Sequence, residues 1–206
     1  TTNFCAGIWL AGGSNMSDIN INNNFIRDVI VRKKATTINS MSIYVSSSVT
    51  TNLNINFNTL AQIRGNTIGT TAGFGTSVVI LSSTTGTTSL SGFSNNIIYD
   101  ANVSTACYSV YFANPTANLA TTTMTKNCYY VPSGNIGVAG TFFYTTLDAW
   151  KLATLRDAES FVEKPKFTSL TNLHILPSVV TKLESNALGI VSPFDIDNQI
   201  RPLAPA

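Results

Sequence analysis

Short apolar runs recur along the first two thirds of the chain at a nearly constant spacing. Within residues 1–145 they alternate apolar with other residues and are separated by polar turn residues, a pattern typical of β-strands. One column of such runs lies at 7–10, 42–45, 77–80, 109–112 and 141–144. The central residues of these runs are Trp9, Tyr44, Val79, Tyr111 and Phe143. Their spacing predicts a structural repeat of about 32 to 35 residues.

A second column trails the first, has the form Asn-x-apolar, and begins at Asn24, Asn66, Asn96 and Asn127. Two columns that recur together predict an all-β solenoid of four to five rungs, in which each strand pairs in parallel with its equivalents. Strand alternation then turns inward the residues beside each centre, namely Ile8, Leu10, Ile43, Val45, Val78, Ile80, Val110 and Phe112. We predict that the four asparagines form a structural ladder, because stacked amides hydrogen-bond along the stack and Asn tolerates left-handed corners.

The composition fits stacked rungs. Charged residues make up 11% of the 206 residues, the formal net charge is +2, and Ser, Thr and Asn together are about a third of the chain. A charge repeated in register would repel its own copies, so neutral polar residues are favoured. This composition argues against a helical bundle and a disordered chain. It also supplies no basic surface for nucleic acid, and no apolar run is long enough for membrane insertion as a helix.

The pattern changes at residue 146. Thr146 is a candidate N-cap, and Leu147 and Trp150 lie at helical spacing, so a short helix is predicted over 146–155. We expect β-helix rungs over 1–145 and a C-terminal cap over 146–206, since a solenoid must cover its last open rung. We expect the two parts to form one structural domain of a longer chain, whose remainder lies on the N-terminal side and is the first expected partner.

Several motifs carry a family resemblance. They are Asn127 to Tyr130, Leu147 to Trp150, Asp157 with Ser160 and Phe161, Pro165, Phe167, Leu173-His174, and Asp195-Ile196-Asp197 followed by Arg201-Pro202. With the rung pattern they resemble the right-handed parallel β-helix of the pectin-lyase-like superfamily, and the C-terminal end of large secreted or surface-anchored bacterial proteins. Asn198 stands where that last motif commonly has Gly. The resemblance implies a right-handed coil and a secreted or cell-surface location, and these motifs are structural ones.

Residues for catalysis or cofactors are sparse. The acids of the rung region, Asp18, Asp28 and Asp100, fall at positions that the assigned columns make non-equivalent, so no carboxylate pair and no catalytic residue is predicted. Asp195 and Asp197 are compatible with calcium, although Asp-x-Asp before a turn is more often a capping device.

The single histidine and the three cysteines show no metal-binding spacing. We therefore expect His174 to be structural. Cys5, Cys107 and Cys128 are expected to be small buried apolar residues, and the spacing leaves a Cys107–Cys128 disulfide open.

The outward column is the candidate binding feature. Trp9, Tyr44, Tyr111 and Phe143 would suit the apolar faces of sugar rings, whereas a long loop or the 146–155 helix could instead bury them. We expect a non-catalytic stalk-like or adhesin-like module that contacts a polysaccharide or cell-surface glycan. Two other functions stay open: the C-terminal part of a β-helix polysaccharide lyase or glycoside hydrolase with its active site upstream, and a trimeric phage or viral fibre domain.

Overall fold

The structure is a computed structural model that describes residues 5–11, 16–29, 40–46, 50–63, 77–81, 88–101, 107–184 and 193–200. Within these ranges the chain is built mainly from short β-strands. They are β1 (Cys5–Leu10), β2 (Met16–Ser17), β3 (Asn20–Asn22), β4 (Phe25–Arg27), β5 (Ser40–Val45), β6 (Thr50–Thr51), β7 (Leu53–Asn56), β8 (Thr59–Gln62), β9 (Ser77–Leu81), β10 (Leu90–Ser94), β11 (Ile97–Asp100), β12 (Tyr108–Phe112), β13 (Thr123–Thr125), β14 (Cys128–Tyr130), β15 (Asn135–Ala139), β16 (Phe142–Tyr144) and β17 (Phe161–Val162). Two helices, α1 (Pro115–Leu119) and α2 (Leu147–Thr154), and a 3-10 turn (Lys182–Glu184) complete them.

Three parallel sheets run along the molecule. Sheet 1 stacks β1, β5, β9, β12 and β15, sheet 2 stacks β3, β7, β10 and β13, and sheet 3 stacks β4, β8, β11, β14 and β17. Four successive rungs place a strand in every sheet, which is close to the predicted four to five. Equivalent residues lie side by side, as with Ile8 beside Ile43 and Ile26 beside Leu60. The predicted all-β parallel solenoid is confirmed.

The apolar core lies between the sheets. The core residues that are fully inaccessible include Ile43, Val45, Ile55, Leu60, Phe93, Ile98, Val110, Phe112 and Tyr129. In β9 the predicted register is wrong by one residue. Val79 and Leu81, not Val78 and Ile80, pair with Ile43 and Val45. Four consecutive aliphatic residues show no alternation, so the sequence did not distinguish the two faces of this strand.

Each described rung turns a sharp corner between sheets 2 and 3. The corner residues have left-handed φ values of 58° at Asn23, 56° at Phe57, 58° at Asn95 and 55° at Lys126. A left-handed residue with a side chain costs about 1–2 kcal/mol, least for Asn. The residue after each corner is a ladder asparagine, whose hydrogen bonds offset this cost.

The two helices have different sequence signals. Helix α1 was not predicted, because five residues are too few for helical periodicity, although Asn114 caps its first turn and Pro115 opens it. Helix α2 lies within the predicted 146–155, and the Thr146 hydroxyl accepts the Ala149 N–H at 3.2 Å. Helix α2 therefore begins where its N-cap residue predicted.

The strand predicted at 141–144 is not a parallel rung strand. The fifth parallel strand of sheet 1 is β15, and β16 folds back onto it with Ala139 opposite Phe142. Gly140 has φ +63°, which the first position of a type II′ hairpin turn requires. The reversal ends the parallel stack and leads into α2. Trp150 of α2 then packs so closely on Gly137 that a Cβ there would lie 2.4 Å from its ring.

After β17 the C-terminal tail, described over residues 163–184 and 193–200, runs back across the outer face of sheet 3 to the first rung. Phe167 contacts the Tyr99 ring at a centroid distance of 5.7 Å, and His174 contacts Phe25 at 5.0 Å. The Asn23 amide donates to the Phe194 carbonyl at 2.8 Å. The tail thus covers a side of the solenoid as well as its end, and with Leu173 it forms a second small core.

Candidate functional site

The four residues of the predicted glycan-contact column share one line across sheet 1. Trp9 pairs with Tyr44, and the line continues through Ile80, Tyr111 and Val138. Phe143 joins it from β16, opposite Val138. Ile80 takes the place predicted for Val79. We call Trp9, Tyr44, Tyr111 and Phe143 the aromatic strip.

The strip consists of two aromatic patches. In the first, Trp9 and Tyr44 have rings inclined by 15° with centroids 6.2 Å apart, and Trp9 Nε1 donates to Ser46 Oγ at 2.8 Å. In the second, the buried Tyr108 ring lies 6.2 Å from Tyr111 and 6.0 Å from Phe143. Tyr44 and Tyr111 are two strand spacings apart, about 10 Å. An extended ligand of a few linked rings can therefore touch both patches.

The strip is accessible at both ends and carries no formal charge. Trp9 is 52% and Phe143 57% exposed, while Tyr44 and Tyr111 are half-buried. The strands of sheet 1 contain no Asp, Glu, Lys or Arg. Helix α2 does not bury the strip, because Trp150 lies on Gly137 and stacks on the core residue Phe112 at 5.9 Å. The face suits an uncharged ligand with flat apolar surfaces.

Behind the corners, asparagines form a hydrogen-bonded ladder. Each donates its backbone N–H and its side-chain amide to the Oδ1 of the next, at 2.9–3.1 Å, in the order Asn24, Asn58, Asn96, Asn127. Asn58 takes the place that the sequence assigned to Asn66, which lies outside the described residues. The segment 58–60 is also Asn-x-apolar, and only pairing of β8 with its neighbours selects it.

The ladder ends on a buried carboxylate that the sequence did not place there. Asp157 is fully buried and accepts hydrogen bonds from Asn127 Nδ2 at 3.0 Å, Tyr129 Oη at 3.0 Å, Trp150 Nε1 at 2.8 Å and Ser160 Oγ. Burial raises the pKa of Asp157, and the four donors oppose that shift. Burial also raises the pKa of the Tyr129 hydroxyl well above its ordinary value. Asp157 therefore joins the last rung to the cap.

Asp28 and Asp100 share a column, contrary to the sequence expectation. Arg27 pairs with Ala61, so the next residue, Asp28, lies beside Gln62. Asp100 pairs with Gln62 from the other side. The two carboxylates therefore flank Gln62 in one column. The expectation failed because the second rung was assigned to 66–68 rather than to β8. Asp28 accepts the Ile63 N–H at 2.9 Å, and Asp100 is fully buried. The Asp28 side chain is 10% exposed and Asp100 is inaccessible, so both carboxylates lie largely within the scaffold.

The acidic tail motif forms a closed turn. Asp195 Oδ1 accepts the backbone N–H groups of Asp197 at 2.9 Å and Gln199 at 2.8 Å, and Asn198 has φ 61°. Asp197 Oδ2 lies 2.8 Å from His174 Nε2. Asn198 thus supplies the left-handed turn residue for which Gly is common. Among the described residues, no group of three or more acidic, histidine or cysteine side chains is placed to hold a metal.

The cysteines are all free thiols. Cys107 and Cys128 are buried as expected, whereas Cys5 is exposed in β1, so that expectation is wrong for Cys5. No Cys107–Cys128 disulfide forms. Burial raises the pKa of Cys128 from 9.0 to about 12, which keeps it in its unreactive thiol form.

The fold defines the chain as a parallel β-solenoid with a capped C-terminal end. Comparisons with family models, with curated proteins and with solved structures found no match. No helix among the described residues is long and apolar enough to span a membrane.

Proposed function

We propose that this chain is a non-catalytic β-solenoid module of a secreted or cell-surface protein, and that its aromatic strip binds a neutral glycan. The observation that carries the proposal is the line of ring-bearing side chains across uncharged sheet 1, with Trp9 and Phe143 more than half exposed. The rigid sheet holds these rings without a large entropic cost on binding. The resemblance of the rungs and tail to the pectin-lyase-like β-helix supports the proposed secreted or cell-surface location.

The absence of charge on the strip favours a neutral chain over a polyanion. An anionic polysaccharide gains most from basic residues, and sheet 1 supplies none in its strands. Aromatic rings instead offer flat apolar area with a polar edge, which matches the two kinds of surface on a sugar ring. The proposed ligand is therefore an uncharged oligosaccharide long enough to reach both patches.

Binding is tested with a panel of neutral and anionic oligosaccharides and by titration followed by tryptophan fluorescence, to which the exposed Trp9 contributes. Tyr44→Ala, Tyr111→Ala and Phe143→Ala should each weaken binding about tenfold, or about 1.4 kcal/mol. Phe142→Ala is the matched control, because Phe142 is 69% exposed on the same strand but lines the opposite face beside Pro115.

Three results would count against the proposal. One is no binding to any neutral oligosaccharide at millimolar concentration. Another is binding that the strip substitutions leave unchanged or that Phe142→Ala weakens equally. The third is a stable trimer in light scattering, which would favour a fibre domain instead.

A further inference from the structure

The two ends of the solenoid differ. At the C-terminal end, β16 and α2 cover the core, and Asp157 accepts the last ladder amide. At the other end, β1, β3 and β4 are the outermost strands of their sheets among the described residues. Ile8, Leu10 and Ile26 on these strands are only half-buried against the core. Their register partners in the second rung are fully buried.

The ladder has a direction, and it identifies what is missing at this end. Every asparagine donates toward the C-terminal end, so the Oδ1 atoms of Asn58, Asn96 and Asn127 each accept two bonds from the rung before. Asn24 is the first member, and none of the described residues donates to its Oδ1. Asn24 is also half-buried, whereas Asn58, Asn96 and Asn127 are almost fully buried. Within the part of the chain that the structure describes, this end therefore presents an acceptor, three strand edges and part of the apolar core.

We propose that this N-terminal face receives one more parallel β-rung, supplied by a segment that leads directly into β1. The incoming rung would carry an asparagine, whose backbone N–H and amide both donate to Asn24 Oδ1. Its apolar residues would cover Ile8, Leu10 and Ile26. The connection into β1 would follow the route that takes β4 into β5 one rung later.

A second copy of the chain does not fit this face. Two N-terminal ends placed together bring two Asn24 acceptor oxygens face to face, with no ladder donor between them. The C-terminal end of a second copy presents α2 and the filled Asp157 instead of an open rung. The occupant is therefore a rung in the same polypeptide direction.

The test adds such a rung to the full chain. Residues 107–134 make one complete rung that contains β12, β13 and β14, with Asn127 at its ladder position. A duplicate of this segment is fused in front of Thr1, and hydrogen exchange and thermal unfolding are compared with the unfused chain. Amides of β1 and β4 should exchange at least about tenfold more slowly, and the unfolding midpoint should rise by about 5 °C.

The matched control carries Asn127→Leu in the duplicate alone. It keeps the strands, the apolar residues and the backbone N–H but lacks the side-chain amide donor. It should therefore give less than half of the gain in the unfolding midpoint. Unchanged exchange in β1 and β4 overturns the proposal, whether or not the added rung is itself ordered. An equal gain with the leucine control overturns the role of the ladder. Concentration-dependent dimers of the unfused chain in light scattering would show that a second copy is the occupant.

Discussion

Replacing Asp157 with Asn tests whether the ladder needs its terminal acceptor. The buried carboxylate accepts Asn127 and Ser160 on one oxygen and Tyr129 and Trp150 on the other. Asn has the same shape but has one acceptor oxygen and one amide donor. In either orientation its NH₂ faces two donors. The Ser160 or Tyr129 hydroxyl could rotate away from this NH₂. The Asn127 amide and the Trp150 indole can only donate, so one of them would lose its acceptor.

The cost follows from that mismatch. One buried donor left unsatisfied costs about 1–3 kcal/mol, and the remaining bonds lose the strength that a charged acceptor gives them. We expect Asp157→Asn to lower the free energy of unfolding by about 3 kcal/mol. For a chain of this length that corresponds to a fall of roughly 6–12 °C in the unfolding midpoint.

The assay is urea unfolding at neutral pH in a Trp9→Phe background, where Trp150 is the only indole. Asp148→Asn is the matched control, since Asp148 is exposed in the first turn of α2 and its loss should cost about 0.5 kcal/mol. If Asp157→Asn unfolds with the same free energy as this control, Asp157 does not hold the cap to the ladder and the reasoning is refuted.

Three further predictions concern packing and the thiols. Gly137→Ala should lower the free energy of unfolding in urea by about 2–3 kcal/mol, because the new Cβ would lie 2.4 Å from the Trp150 ring. Gly92→Ala is the control and should cost clearly less, because its Cβ would meet the end of the Asn54 side chain. Equal costs would contradict this account of the packing. A thiol reagent at pH 8 should modify one cysteine, Cys5, in the native chain and three in urea; a second fast native thiol would refute the burial. Burial raises the pKa of the Cys128 thiol in the folded chain to about 12, so the buried neutral thiol contributes stability below pH 9 that is lost as the pH rises toward 12. Between pH 8 and pH 11 the free energy of unfolding of the wild type should fall by about 2–3 kcal/mol more than that of Cys128→Ala. Equal falls in the two proteins would contradict this.

Much of the architecture was readable from local pattern. Runs of alternating apolar residues recur with a period because every rung must bury the same inward positions against its neighbours. Helix α2 was readable for the same kind of reason, since its N-cap and its two buried residues lie within a few positions of one another. The aromatic strip followed from alternation about the repeat. Whether it binds a glycan stays a prediction.

The register of strand pairing between rungs could not be predicted from the sequence. A period of two indicates which residues alternate, but it does not show which of two Asn-x-apolar segments stacks on Asn24, and Asn58 is chosen by pairing along all three sheets. The same limit hid the shared column of Asp28 and Asp100 and shifted β9 by one residue. Each of these is a relation between strands 30 or more residues apart, to which neighbouring residues give no signal.

The sequence by itself determined that this chain is a stack of β-rungs with a helix near its C-terminal end, because composition, periodicity and capping are local properties. Only the tertiary structure decided how the stack ends. It turns β16 back at Gly140, places Asp157 under the last ladder amide, and returns the tail over sheet 3 to Asn23. The physical reason is that ending a solenoid means satisfying the open edges, the last amide and the exposed core together. Those groups come from distant parts of the chain and meet only in the folded molecule.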